Sequence, residues 1–442
     1  YHAISAIPNI FEAGIVQGVG NYIDNATCRL TAIPNDGYQF KNWMLNGVEV
    51  STDATLEFTV TESANYVANF DRIQSQALAS GWSWWSSYIE LNGIDGLEML
   101  ENSLGSSGVR IQGRNGFVDY FEYQGSNYWS GTLNGITNEQ MYKIRTNASC
   151  NAMMTGDLAL AANHPITINS GWNWIGFPVN KNVSIESALG GFTPEADDVI
   201  KGRNGYSIYV SYNNYNLWYG SLQTLEPGQG YMYKSNSSVA KTLTYQMGRE
   251  GDVIANITPE NNVFVPNDAE FANNMVVTAV IEGEELRSED YELAAFVYDE
   301  CRGSVKLMYV EPMDRYVAFL TVFGDNAENI QFVLTDGYDT RTSVDVLVYT
   351  SDAIIGTLTE PVIISFGTLG MNDNELASPH IYPNPSHDLF NVQCENIRKI
   401  EVLNIYGQII LSKEFESDSY QIDLSDRAAG AYMLRIYTNK EI

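Results

Sequence analysis

Apolar and polar residues alternate in short bursts along most of the chain. Runs rich in Val, Ile, Thr, Tyr and Phe, such as Tyr291–Tyr298, Tyr316–Val322 and Val344–Thr350, are set between Gly, Asn and Asp. Period-2 alternation bounded by turn residues is the mark of half-buried strands, so the pattern predicts an all-β chain. Helical spacing is confined to short stretches. Asp95-Gly-Leu-Glu98 reads as an N-cap with Glu at N3, Leu97, Leu100 and Leu104 follow on one face, and Gly105 ends the turn. A second short helix is expected from Ser184 to Leu189, closed by Gly190. No apolar run approaches the ~18 residues of a membrane-spanning helix.

Two segments repeat. One opens Ser80-Gly81-Trp82-Ser83-Trp84 and the other Ser170-Gly171-Trp172-Asn173-Trp174. Each carries its short helix, then Gly-Arg-Asn-Gly (113–116 and 202–205), an aromatic residue (Phe117, Tyr206) and a strand-like run. Trp129-Ser-Gly131-Thr-Leu133 and Trp218-Tyr-Gly220-Ser-Leu222 follow, and Tyr142-Lys143 and Tyr231-Met232 close the units. The offset is 90 residues at the start and 89 from the tetrad onward, so these are tandem small domains. The expected organisation is five β modules: 1–72, 80–149, 165–238, 250–368 and 379–442. Their joints are expected at Asp71–Ala79, Cys150–His164, Ser237–Ile257 and Gly367–Pro379.

Charge narrows the function. The chain of 442 residues has 54 acidic and 24 basic residues, a formal charge of −30. Phosphate backbones need a basic surface, so nucleic-acid partners are excluded. Residues 239–442 carry 33 acids against 13 bases, so the acidity is concentrated there. The cysteines at 28, 150, 301 and 394 form no CxxC, which argues against a disulfide scaffold or structural zinc; all four are expected as buried apolar residues. The sequence opens at Tyr1 without a leader pattern, as expected of a processed chain or a fragment.

Catalytic patterns are thin. The histidines are His2, His164, His380 and His387, none in HExxH, and no G-x-S-x-G elbow or phosphate-binding glycine loop occurs. Acid pairs occur at Asp197-Asp198, Glu284-Glu285, Glu289-Asp290 and Asp299-Glu300. They read as solvated surface charge; if calcium binds, Asp299 and Glu300 beside Gly303 are the first choice. Seven of the eight tryptophans fall within 80–238. Sugar faces stack on aromatic rings while Asn or Arg satisfies the hydroxyls. Trp129 with Tyr128 and Asn127, and Trp218 with Tyr219 and Asn216, fit that description, with Arg114 and Arg203 as polar partners. Trp129 and Trp218 are expected to be the exposed tryptophans of the repeats. The competing reading is core filling, since a ~70-residue unit needs large side chains.

Three resemblances add to this. Tyr38-Gln-Phe-Lys-Asn-Trp43-Met-Leu-Asn-Gly47, with Thr31–Pro34 before it and Val67–Phe70 after it, resembles the internalin B-type bacterial repeat, a small β module of surface proteins. Its resemblance implies a spacer or adhesion module without catalytic residues. Leu293–Gly303 resembles a segment of immunoglobulin-like modules, implying a β-sandwich. Ile381-Tyr-Pro383-Asn384-Pro385, then Gly407, Asp423-Leu424 and Gly430-Ala-Tyr432, resembles the type IX secretion C-terminal sorting domain of Bacteroidetes. That resemblance implies a β-sandwich recognised by outer-membrane export machinery, and a secreted or cell-surface location. The combined expectation is a non-catalytic surface or secreted binding or adhesion protein, with a glycan or a host or matrix protein as ligand. Alternatives are the accessory region of a larger secreted hydrolase, such as a peptidase, or a subunit of a surface fibre or layer. No cofactor other than calcium is expected.

Overall fold

The computed structural model describes residues 1–91, 93–212, 215–247, 262–283, 288–366, 380–382, 389–404, 408–428 and 430–438. It is built almost wholly from strands and divides into two compact units, Tyr1–Gly367 and Thr368–Ile442. Among the described residues no helix is long and apolar enough to cross a membrane.

In the N-terminal module, the strands His2–Pro8, Tyr38–Leu45 and Ala64–Leu78 form the middle of one sheet. Thr27–Pro34 centres a three-stranded sheet that shares its core. Trp43 and Phe70 are fully buried there, beside Cys28 and Leu30. Asn46 and Gly47 both take positive φ, 52° and 81°, as the two-residue hairpin joining Leu45 to Val48 requires.

The stretches 71–79 and 150–164, expected as joints, hold paired strands. Ala64–Leu78 runs on for 15 residues, and its second half pairs antiparallel with Cys150–Gly156. Alternation explains this: Ala152 and Met154 are buried against Leu78 and the leucines of helix α1 (Ile94–Leu104), while Asn151 and Met153 face out. The first repeat is thereby joined to the sheet of the N-terminal module. The helix starts two residues earlier than expected, with Gly93 at the N-cap and Asp95 inside the first turn. Leu97, Leu100 and Leu104 are its buried stripe, and Gly105 ends it at φ 51°.

The first repeat is a five-stranded sheet of β1 (Gly81–Trp85), β2 (Gly108–Gly113), β3 (Gly116–Tyr123), β4 (Ser126–Gly131) and β5 (Tyr142–Thr146). Its spatial order is β4-β3-β2-β5-β1. The second repeat comprises β6 (Gly171–Ile175), β7 (Val199–Lys201), β8 (Tyr206–Tyr212), β9 (Tyr215–Gly220) and β10 (Tyr231–Ser235), with α2 (Ile185–Ala188) between β6 and β7. Its order, β9-β8-β7-β10-β6, is the same topology. Ser184 caps α2 by accepting the Ser187 N–H.

Strands within 274–283 and 288–366 form two sheets packed face to face over Val277, Leu293, Leu320 and Phe332. The outer face of the second repeat's sheet docks on this sandwich: Val199, Tyr206, Ile208 and Val210 meet Val276, Val317 and Phe319. The corresponding face of the first repeat keeps Phe117, Phe121 and Tyr128 exposed. Where the two repeats and the sandwich meet, two buried lysines sit among indole faces. Lys143 Nζ lies 4.9 Å from the Trp84 ring centre and 4.6 Å from that of Trp174, and donates to the Asn273 side-chain carbonyl. Lys201 Nζ lies 4.6 Å from the Trp172 ring centre and donates to Asp352 Oδ1 at 2.7 Å. Burial pushes the Lys143 amine down to about 7, and it lowers Lys201 despite Asp352.

The C-terminal unit is a four-stranded antiparallel sheet of His380–Tyr382, Leu389–Leu403, Ile409–Asp423 and Met433–Thr438, with Val392, Ile400 and Ile422 at its core. None of the four cysteines is in a disulfide. Cys28 and Cys394 are buried as expected, but Cys150 and Cys301 are only partly so.

Candidate functional site

Trp129 is placed by strand alternation. On β3 and β4 the cross-strand partners Tyr120 and Trp129 face inward, toward α1. Their ring centres are 5.4 Å apart at 61°. The indole sits over Gly108, where a Cβ would lie 2.4 Å from Trp129 Cζ2, so only glycine leaves room for the ring. Trp129 is half-buried and contributes to an open cleft of about 880 Å³ between α1 and the β3–β4 edge. Leu97 and Leu133 line its apolar part, and Asn102, Asn127 and Asn134 border it. Glu98 and Glu101, one helical turn apart on α1, face the same space. Burial, then the charge of Glu98, holds the Glu101 carboxyl above its ordinary value.

The second repeat closes the equivalent space. Contrary to expectation, Trp218 is only 6% exposed. It meets Tyr209 at 5.3 Å and Tyr233 at 6.0 Å, and Tyr233 in turn meets Phe192. The position of Tyr233 corresponds to Ile144 in the first repeat, and the larger ring fills what the smaller side chain leaves open. Glu186 of α2 accepts the Trp218 backbone N–H at 2.6 Å, and burial raises its pKa. The two repeats thus share a topology and a Tyr–Trp pair, but only the first leaves that pair accessible.

The other expected ligand residues are dispersed. Asn127 and Tyr128 both border the Trp129 cleft, and the Tyr128 ring leans to the outer face, where it meets Phe121 at 6.1 Å. Asn216 is exposed and accepts from Ser211 Oγ, while Tyr219 packs toward the sandwich. Arg114 lies on an exposed turn. Arg203 is a structural residue: it donates to the carbonyls of Phe271 and Asp268 and pairs with the Asp268 carboxylate at 3.6 Å. Asp299 is exposed, and the Glu300 carboxylate meets Arg302 at 3.1 Å and accepts from Asn267 at 2.7 Å. The cationic partner of Glu300 is therefore a guanidinium. Among the described residues no group of three or more His, Cys, Asp or Glu converges as a metal site.

Glu98 and Glu101 are not among the ligand residues expected from the sequence; their signal is their spacing on the polar side of a helix. Nor is His164 among them; it bridges Glu139 at 2.7 Å and Glu90 at 3.0 Å. Burial pulls the imidazole down, but the two carboxylates outweigh it and leave its pKa raised.

Of the sorting residues, Asp423 accepts the Ser425 N–H at 2.9 Å, Leu424 is buried, and the Tyr432 hydroxyl donates to the Ala428 carbonyl. Gly430 is exposed. Pro383, Asn384, Pro385 and Gly407 lie outside the described residues.

Residues 380–442 match the secretion system C-terminal sorting domain, and residues 10–74 match the divergent InlB B-repeat domain. A segment of 75 residues is 29% identical to the ulvan lyase NLR42 of Nonlabens ulvanivorans, covering 16% of this chain and 14% of the lyase. The sorting domain assigns the protein to type IX export and to a secreted or cell-surface location.

Proposed function

We propose that this chain is a non-catalytic carbohydrate-binding region of an exported protein, and that the Trp129 cleft of the first repeat holds the ligand. One observation carries the reading. Two repeats of one topology carry the same Tyr–Trp pair; one buries its tryptophan, and the other presents it in a cleft bordered by three asparagines and two glutamates. A half-exposed indole beside hydroxyl-compatible side chains suits the apolar face and polar rim of a sugar. The N-terminal and sandwich modules then serve as the frame on which the repeat is presented. Attachment to the bacterial surface by way of the sorting domain would make the molecule an adhesin for polysaccharide.

The likeness to a segment of an ulvan lyase supports a second reading, in which this region is the accessory part of a secreted enzyme. Both readings place recognition at Trp129. Titration of a polysaccharide panel into the full chain tests them, with Trp129→Ala and Trp218→Ala as variants. Binding lost in Trp129→Ala supports the site, and binding unchanged in that variant removes it.

A further inference from the structure

Resting on the reading of the Trp129 cleft as a carbohydrate site, we infer that the cleft selects uncharged polysaccharide and rejects polymers bearing sulfate or uronate, with Glu98 and Glu101 setting that choice. Three observations converge. First, the charged side chains lining the cleft among the described residues are Glu98 and Glu101; no Lys, Arg or His lines it. Second, the donor and acceptor inventory is matched to hydroxyls. The asparagine amides offer both donors and acceptors, and an ionised carboxylate only accepts. A sugar hydroxyl can donate to such a carboxylate in a charge-assisted hydrogen bond. A sulfate or uronate oxygen has no hydrogen to give, so opposite Glu98 or Glu101 it leaves two acceptors facing each other. Third, the two glutamates are free for this role because the fold does not use them as it uses Glu186. In the second repeat Glu186 accepts the Trp218 backbone N–H; the first repeat places its pair of carboxylates, one turn apart, along the wall of the cleft that the half-buried Trp129 also lines.

Electrostatics sets the size of the effect. The charge on Glu98 already bears on Glu101, so a third negative group in the same cleft meets two like charges at short range. At an effective dielectric constant between that of a protein surface and that of water, such repulsion amounts to a roughly tenfold loss of affinity or more for each anionic group held there. Because the Debye length shrinks from about 10 Å at 0.1 M to about 3 Å at 1 M salt, added salt should raise affinity for anionic polymers and leave that for neutral ones nearly unchanged.

The experiment is calorimetric titration of the full chain with neutral β-glucan, xylan and galactan and with sulfated and uronate-rich polymers of similar length. It is run at low and high salt, on wild type, Trp129→Ala and Glu98→Gln/Glu101→Gln. The glutamine variants are isosteric on a solvent-facing helix wall, and circular dichroism verifies their fold. At least one neutral polymer should bind about tenfold or more tighter than every anionic one. The double glutamine variant should gain several-fold for anionic polymers, and Trp129→Ala should lose both. Tight anionic binding by wild type that depends on Trp129 would overturn the selectivity and leave the cleft standing. A double variant with no gain for anions would overturn the role of the glutamates. Absence of any binding that Trp129→Ala alters would overturn the cleft, and this inference with it.

Discussion

Replacing Trp129 and Trp218 one at a time by alanine separates ligand presentation from core filling. Trp218 is 6% exposed and packed among Tyr209, Tyr233 and the wider core of the second repeat. Its removal leaves a cavity as well as losing transfer free energy, a change that costs about 3–5 kcal/mol in protein cores. Trp129 is half-buried, with its ring already open to the cleft on one side. The same truncation there removes less buried surface and leaves a hollow that solvent enters, so about half that cost is expected. Tyr1–Gly367 is one compact unit. At about 2.1 cal/mol/K per residue its unfolding entropy is about 0.8 kcal/mol/K, so a loss of about 4 kcal/mol lowers the midpoint by about 5 °C if the unit melts as one. Differential scanning calorimetry should therefore show a drop of about 5 °C for Trp218→Ala and of about 2–3 °C for Trp129→Ala. Sugar binding should fail in the second variant alone. Equal destabilisation by both substitutions would refute the reasoning, because Trp129 would then be as much a core residue as its counterpart.

Gly108→Ala should push Trp129 out of place: the residue has φ −72°, which alanine adopts freely, yet its Cβ would lie 2.4 Å from the indole. A cost of about 1–3 kcal/mol, a shifted tryptophan emission and lost sugar binding are expected; unchanged emission would contradict the placement. His164 has a folded-state pKa above its unfolded value, so its stabilisation is fully present below the unfolded pKa and is lost as pH rises through the folded one. The stability difference between wild type and His164→Asn should therefore be larger at pH 5.5 than at pH 8.5; the reverse order would contradict it. Lys143 has the opposite sign, with its pKa lowered to about 7. Between that value and the usual one the unfolded chain binds more protons, so stability should rise with pH by at most about 1.4 kcal/mol per unit. In Lys143→Met that contribution should vanish, and an unchanged pH slope would show that the amine is not buried among the indoles.

The strand pattern and the repeat were legible because each is local. Period-2 alternation fixes which side chains share a face, and landmarks at an offset of 89 or 90 residues fix two copies of one topology. The hairpin at Asn46-Gly47 and the helix end at Gly105 follow from turn and end chemistry alone. Asp95 failed as a cap because Gly93 takes that place one residue before Ile94. Pairing over long sequence distance was not legible. Nothing near Cys150 announces that its strand completes the sheet of Ala64–Leu78, 72 residues away at the Cys150–Leu78 contact. The site was half legible. Trp129 and Asn127 were found, but adjacency in sequence grouped them with Tyr128, which alternation sends to the opposite face. Trp218 looked equivalent to Trp129 because its flanking residues are as polar; the difference lies in Tyr233 against Ile144, on a strand that follows later in the chain. Arg203 is a turn residue in sequence and becomes a clamp only when the loop carrying Asp268 and Phe271 is placed beside it.

Calorimetric titration of neutral polysaccharide into wild type, Trp129→Ala and Phe121→Ala distinguishes the cleft from the rest of the aromatic hairpin. Saturable binding is expected, which Trp129→Ala abolishes and which Phe121→Ala, on the other face of the same hairpin, leaves within about twofold, or about 0.4 kcal/mol. Binding that survives loss of Trp129, or that fails equally with either ring removed, would contradict that expectation.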